Sequence, residues 1–182
     1  MTENNHFDFD KAKNALLYIS NSIGESGFLK IFKILYFAEK KHLARFGNMI
    51  IEERYIAMKN GPVPSKIYDI FKAFRDDETF QKLPKGFASA FELIGNHNIR
   101  ARHNAELDYL TQSDIECLDI SIRENNRLNF AQLSHKSHDL AWNNANENDE
   151  INILDMARAE GADQEMLDYI VDHLEHKSIL FA

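Results

Sequence analysis

The chain is poor in cysteine, in proline and in basic charge, and each shortage excludes a class of protein. Its single cysteine, Cys117, cannot form an internal disulfide. The formal net charge of −8 argues against non-specific binding to nucleic acid, because neutralising phosphates requires a surplus of Lys and Arg. No apolar run is long enough to span a bilayer, and residues 1–13 lack the pattern of a signal peptide. We therefore expect a cytoplasmic protein that does not contact a membrane.

Most apolar residues recur at helical spacing. Asp10 is expected to cap a first helix, in which Ala12, Leu16 and Ile19 share a face. Residues 28–38 are apolar on almost every side, which is typical of a buried helix, and Gly47 is expected to end this central helix. A further helix is predicted from the apolar stripe formed by Ile67, Ile70, Phe71 and Phe74.

Two stretches favour β-structure. Residues 48–61 suit one or two short strands, and residues 91–101 resemble a hairpin that turns at Gly95 and Asn96. Between the two, residues 75–89 mix charge with Gly and Pro and are expected to be mostly loop. The predicted fold class is mainly α with a small antiparallel β-sheet, that is, α+β.

The second half of the chain is predicted to be helical throughout. Ser113 and Glu116 have the spacing of a capping box at the start of a helix, and shorter helices are expected through residues 130–145. The polar residues 146–150 are the best candidate for a linker, and two helices that meet at Gly161 and Ala162 are predicted after it. We expect a compact helical domain at 1–145 and a two-helix extension at 146–182 packed on it.

The stretch YIAMKNGPVPSKIYDIF, residues 55–71, holds two of the three prolines. A proline fixes its own φ and pushes the preceding residue towards extended geometry, so Gly61 and Val63 are both held out of the helical region. The simplest interpretation is a rigid corner that ends a strand and starts a helix. Aromatic and polar side chains surround the corner, however, and such groups are useful at protein contacts, since Tyr combines a large area with a hydroxyl. These side chains are Tyr55, Lys59, Asn60 and Tyr68.

Three motifs in this order resemble the Panacea domain, the SocA-like antitoxin family. The first is the helix KILYFA at 33–38 with His42 and Gly47, and the second is the corner itself. The third is the segment from Leu133 and Ser134 to Trp142. The resemblance covers roughly residues 10–145, and this chain departs from the usual pattern only in Asn60 before Gly61 and in the longer spacing before Trp142.

The resemblance implies a protein that neutralises a toxin, usually encoded beside it, by binding it directly. It also implies that some relatives deliver the toxin to an ATP-dependent protease, and that many reside in prophages. We therefore expect no enzymatic activity and no cofactor, with a proteolytic adaptor as the alternative. The acidic charge of the chain fits a basic toxin. The residues predicted to bind the partner are Tyr55, Lys59, Pro62, Pro64, Tyr68, His135 and Trp142, although Trp142 could equally belong to the core.

Other chemistry has weaker support in the sequence. His135 and His138 could share a helix face with Asp139, as could His173 with His176, but two ligands do not make a structural zinc site. Exposed imidazoles and no bound metal are the preferred interpretation. A small hydrolase with a His/Asp site is therefore an unfavoured alternative, and Cys117 is expected to be a packed thiol with acidic neighbours. Operator binding is also unfavoured, because no helix-turn-helix pattern is present.

Overall fold

The computed structural model describes residues 7–76 and 86–180, except for the side chains of residues 88 and 178–180. It is mainly helical with a small antiparallel β component, which confirms the predicted fold class. The helices are α1 Phe9–Ile23, α2 Phe28–Phe46, α3 Ser65–Asp76, α4 Phe87–Ala90, α5 Gln112–Asn125, α6 Phe130–Ser137, α7 Leu140–Asn144, α8 Ile153–Ala159 and α9 Gln164–Leu180. The strands are β1 Ser26–Gly27, β2 Tyr55–Met58, β3 Gly61–Pro64, β4 Phe91–Ile94 and β5 Asn98–Ala101.

Helix α2 lies at the centre of the fold, as its all-round apolar pattern predicts. Its first half packs with α1, α3 and α5 in one apolar cluster that includes Phe32 and Phe71. Its second half packs in another cluster with β2, α8 and α9, around Tyr36 and Tyr55. The helix ends where expected, since Gly47 adopts φ 75° and donates its N–H to the carbonyl of Leu43.

The strands form two small antiparallel sheets. In one sheet β5 lies between β1 and β4, and β4–β5 is the hairpin expected at 91–101. The other sheet is the β2–β3 hairpin, so the predicted extended corner is itself a strand paired with residues 55–58. Residues 148–151, within and next to the segment predicted as a linker, hydrogen-bond to β2 on the edge opposite β3.

Two predicted helix caps are wrong by two residues. Helix α1 is capped by Asp8, which accepts from the N–H of Lys11, so Asp10 lies in the first turn. Helix α5 begins with a capping box between Thr111 and Asp114. In both cases the observed cap and the expected one are two positions apart and have compatible side chains, so spacing alone does not separate them.

Two further findings complete the comparison with the sequence. Most of the predicted loop at 75–89 lies outside the described residues, and its last part forms the short helix α4. No helix in the described part of the chain has both the length and the hydropathy needed to cross a membrane.

Candidate functional site

Three separate segments of the chain meet at the β2–β3 hairpin. Its two strands pair from Met58 with Gly61 to Tyr55 with Pro64, so Lys59 and Asn60 form a two-residue turn. Helix α2 lies against one side of the hairpin, and helices α6 and α7 supply contacts on another. The hairpin is therefore held by parts of the chain that lie far apart in sequence.

Both prolines of the hairpin occupy positions that do not hydrogen-bond to the paired strand. Ala57, which faces Pro62, uses its N–H and its carbonyl to bond Asp149 and Asn148 instead. Tyr55, which faces Pro64, accepts from the N–H of Ile151 in the same direction. The prolines thus sit in the non-hydrogen-bonded pairs of the ladder, where a missing N–H removes no bond between the strands.

Three side chains donate to alternate carbonyls of the hairpin, an arrangement that we call the carbonyl clamp. The indole Nε1 of Trp142 donates to the carbonyl of Met58 at 3.0 Å. The hydroxyl of Ser134 donates to the carbonyl of Asn60 at 2.9 Å, and the Nζ of Lys33 donates to that of Pro62 at 2.7 Å. The clamp satisfies carbonyls 58, 60 and 62 and fixes the turn between them.

Gly61 is the residue at which the clamp requires glycine. Its φ of +95° lies in the region that side-chain-bearing residues rarely adopt. A Cβ placed on it would also lie 2.7 Å from the Nζ of Lys33 and closer still to the hydroxyl of Ser137. The close approach of Lys33 to the hairpin backbone therefore depends on the absence of a side chain at residue 61.

Among the residues that the structure describes, no carboxylate pairs with the buried Lys33. The residue is only 1% exposed, and the carbonyl of Pro62 is its hydrogen-bond acceptor. Burial lowers the pKa of Lys33 to about 7, although the charge of Asp139 acts in the opposite direction. Burial therefore disfavours the charged form of Lys33.

The seven predicted contact residues divide into a buried and an accessible group. Tyr55, Pro62 and Pro64 are buried and support the hairpin, so their side chains do not face solvent. The accessible group is Lys59 at the turn, Tyr68 on α3, His135 on α6 and the half-buried Trp142 on α7.

Two adjoining cavities lie beside the turn, and Leu29 and Phe130 line both of them. The smaller, of about 120 Å³, also contacts Lys33, Lys59 and Tyr68. The larger, of about 420 Å³, extends to Phe28, Lys30 and His97 beside strand β1. We call the two together the Lys33 groove. Phe130, exposed to 39%, stands between them.

A comparison with protein families assigns the central part of the chain. The family model described as "Antitoxin SocA-like, Panacea domain" matches residues 31–143. The chain belongs to this family. Searches of curated proteins and of solved structures gave no match. The matched range begins within α2 and ends within α7, so it includes the hairpin and all three donors of the carbonyl clamp.

The motifs of this Panacea domain also fill a second polar cluster, on the later turns of α2. The hydroxyl of Tyr36 lies 3.1 Å from both oxygens of Asp139. Asp139 pairs with the buried Lys40 at 2.8 Å and caps α7 by accepting from the N–H of Trp142. Lys40 also lies 3.4 Å from Glu160, so the cluster ties α2 to the residue that ends α8.

Two further buried polar residues of α2 hold the loop that follows it. The carboxylate of Glu39 accepts from the N–H groups of Ile50 and Ile51, and burial raises its pKa to about 8 against the opposing effect of those bonds. The ring of His42 contacts the carbonyl of Asn48 at 2.6 Å, and burial lowers its pKa. Glu39 and the motif residue His42 therefore hold residues 48–51 against α2 from inside the domain.

In the described part of the chain, the histidines and Cys117 are not gathered into a reactive site. His135 is exposed, and His138 stacks on the Trp142 ring with the ring centroids 3.9 Å apart. Within residues 7–76 and 86–180, no three His, Cys, Asp or Glu side chains are grouped to hold a metal ion. Cys117 is buried, and its burial raises the pKa of the thiol, which disfavours the reactive thiolate.

Sequence reasoning missed Lys33 as a site residue and did not single out Leu29 or Phe130. Lys33 lies within the KILYFA motif, but the apolar residues around it predict a buried helix and not a charged site. Phe130 and Leu29 carry no motif at all, and only the packing of α6 against α2 brings them together. The sequence feature that could have indicated the groove is a lysine within an otherwise apolar helix segment.

Proposed function

We infer that this chain is an antitoxin that neutralises a protein toxin by binding it through the surface around the carbonyl clamp. Membership of the SocA-like antitoxin family supports the antitoxin role. The contact surface would comprise the exposed Lys59, the partly exposed Tyr68 and the exposed Phe130. Aromatic side chains at the centre of an interface supply much of its binding energy, which suits Tyr68 and Phe130.

The observation that carries this proposal is the carbonyl clamp. Its three hydrogen bonds hold an exposed two-residue turn in one conformation before any partner arrives. A loop that is ordered in advance loses less conformational entropy on binding, so more of the contact energy appears as affinity. The buried Tyr55, Pro62 and Pro64 would then act indirectly, by shaping the turn that presents Lys59.

The mechanism we propose is steric and needs no chemistry from this chain. An interface of standard size, about 1,200–2,000 Å² in total, covers enough of a small toxin to block its working surface. The groove and the hairpin turn lie side by side and share Lys59, so one partner can contact both.

Co-expression with the product of the neighbouring reading frame tests the proposal. Growth would be scored for each protein alone and for the pair, and the pair would then be purified through a tag on one member. The expected result is a toxic neighbour, restored growth and a stable complex. A neighbour that is harmless alone, or rescue without any complex, would reject direct neutralisation of that protein.

Three substitutions, made in the same co-expression test, examine where the interface lies. Lys59→Glu and Tyr68→Ala are expected to weaken the complex and the rescue of growth. Arg123→Glu, at an exposed position on α5 outside the groove lining, is the matched control and is expected to leave both unchanged. Equal effects of all three would show that the corner is not the contact surface.

A further inference from the structure

The Lys33 groove differs in charge from the chain as a whole. The full chain has 29 acidic residues against 21 Lys and Arg. Among the described residues that line the two cavities, the titratable cations are Lys30, Lys33 and Lys59 with His97 nearby, and none is Asp or Glu. The groove is therefore a local basic surface on an acidic protein, and such a patch favours an anionic ligand.

Lys33 gives this surface a specific acceptor site. Its Nζ can donate three hydrogen bonds, and the bond to the carbonyl of Pro62 uses one. A buried cation is stable only when its charge is compensated, and among the described residues the acceptor of Lys33 is a neutral carbonyl. A carboxylate that entered the smaller cavity would supply the missing charge.

The dimensions of the groove indicate what kind of anion it accepts. The cavity at Lys33 has a volume of about 120 Å³, well below the roughly 300 Å³ at which sites for free small molecules begin. It suits one side chain. The adjoining cavity of about 420 Å³ has aromatic walls at Phe28 and Phe130 and suits a bulky apolar side chain. Leu29 and Phe130 border both cavities, so a ligand that fills both would contact them.

We propose that the Lys33 groove binds a peptide segment of the toxin in which an Asp or Glu side chain inserts towards Lys33 and a neighbouring apolar side chain fills the cavity beside Phe130. This inference rests on the proposed function and specifies the partner's contact. The overall acidity of this chain would suggest a basic partner, whereas the local charges select an acidic segment. Lys30 and Lys59, at the rim, would attract the segment, and Lys33 would hold its carboxylate.

Selection from a random library of 12-residue peptides tests the groove without any knowledge of the toxin. The library would be displayed on phage and selected on the whole protein, then sequenced. The expected result is enrichment of peptides with an Asp or Glu next to a bulky apolar residue. Binding would be measured by fluorescence anisotropy for each selected peptide and for its Glu→Gln or Asp→Asn form, with the C-terminus amidated.

Three variants separate binding in the groove from general charge attraction. Lys33→Met keeps the length of the side chain and removes the charge, and it should weaken binding by at least about 30-fold, since a buried charge pair loses one partner. On the Lys33→Met protein, replacing the peptide's Glu by Gln or its Asp by Asn should weaken binding little further. Lys59→Met, at the exposed rim, should weaken binding by only about two- to five-fold. Phe130→Glu blocks the groove from an exposed position and does not depend on the folding of a Lys33 variant.

Each outcome decides the proposal. Acidic peptides that require Lys33 and are blocked by Phe130→Glu support it, and a rise in the Lys33 pKa on binding, followed by NMR of its Cε group, supports it further. Peptides without acidic residues, equal binding to the Lys33→Met protein, or no selected peptide at all would overturn it. If the selected peptides bind through an Asp or Glu side chain but the co-expression test fails, the proposed groove stands and the neighbouring protein is rejected as its partner.

Discussion

Lys33 and Lys40 lie two turns apart on α2, and both are buried, but their side chains have different partners. Lys40 pairs with Asp139 at 2.8 Å and with Glu160 at 3.4 Å. Lys33 reaches the carbonyl of Pro62 and lines a cavity that opens beside an exposed turn. The charge of Lys40 is compensated by carboxylates from the end of α8 and the start of α7, whereas the acceptor that the described part of the chain offers Lys33 is a neutral carbonyl.

This difference suggests that the two lysines of α2 have different roles, one in stability and one in binding. A paired buried cation is costly to disturb and joins the elements that pair with it. A buried cation with a neutral acceptor costs stability, and a chain retains such a cost most readily where a ligand offsets it. The cluster around Lys40 therefore belongs to the frame of the domain, and Lys33 belongs to its proposed binding surface.

Removing the shared carboxylate of the paired region should have the largest effect on stability. Asp139→Ala takes away the partner of Lys40, the acceptor of the Tyr36 hydroxyl and the cap of α7 in one step. We expect a loss of about 3–5 kcal/mol in the free energy of unfolding, because the buried Lys40 keeps only the more distant carboxylate of Glu160 and α7 loses its cap. Urea denaturation followed by circular dichroism would measure it.

Asp139→Asn is the matched control for this substitution. Asparagine can still cap α7 and accept from Tyr36, so it should cost clearly less than alanine while it still removes the ion pair. A loss below about 1 kcal/mol for the alanine variant would mean that the Lys40 pair contributes little, and the contrast with Lys33 would then lose its basis.

The close approach at Lys33 should be the next most sensitive feature. Gly61→Ala imposes a side chain at φ +95° and places its Cβ 2.7 Å from the Nζ of Lys33. We expect a loss of about 1–3 kcal/mol from backbone strain, increased by the contact. Gly95→Ala serves as the control, since Gly95 also has a positive φ but nothing within 4 Å of its Cβ position. Equal losses at both sites would show that Lys33 and Ser137 move aside without cost.

Local patterns in the sequence were sufficient for most of the fold. Helical spacing identified α1, α2, α3 and α5, and the turn at Gly95 identified the β4–β5 hairpin, because these signals lie within a few residues of one another. The corner shows what was missed. Pro62 and Pro64 are two residues apart, so they occupy the same edge of an extended strand, and this spacing is compatible with β3 as well as with a loop.

The buried polar contacts were not predictable, because their partners are remote in sequence. Glu39 bonds to Ile50 and Ile51, eleven and twelve residues away, and Lys40 reaches Glu160. No periodicity specifies which lysine of α2 finds a carboxylate and which does not. The KILYFA motif includes Lys33 and ends before Lys40, but the different partners of the two lysines required the packed structure.

The pH dependence of stability should reveal the uncompensated lysine. The folded pKa of Lys33 is about 7, below the ordinary value of 10.5, so between these values the unfolded chain binds a proton that the folded chain does not. Stability attributable to Lys33 therefore rises with pH above 7. The free energy of unfolding of wild type, relative to Lys33→Met, should increase by at most about 1.4 kcal/mol per pH unit between about pH 7 and 9.5.

The upper limit of about pH 9.5 lies below the pH at which the tyrosines ionise. Tyr18 has its pKa raised to about 12 by burial and by its bond to Asp119, and burial also raises the pKa of Tyr36. Both groups favour the unfolded state only as the pH exceeds 10, and both are present in wild type and variant alike. A difference between the two proteins that stays constant from pH 7 to 9.5 would show that Lys33 titrates as an ordinary lysine.

The smallest effect on stability is expected at the tip of the hairpin. Lys59 is exposed, and the clamp bonds hold the carbonyls of its neighbours Met58 and Asn60 rather than its side chain. Lys59→Ala should therefore change the free energy of unfolding by less than about 0.5 kcal/mol. The same substitution should measurably weaken the complex with the toxin, as judged by the dissociation constant at two salt concentrations, because a rim charge acts mainly through long-range attraction. A large loss of stability would mean that Lys59 stabilises the domain, as Lys40 does. Weaker binding with unchanged stability would mean that Lys59 belongs to the proposed binding surface, with Lys33.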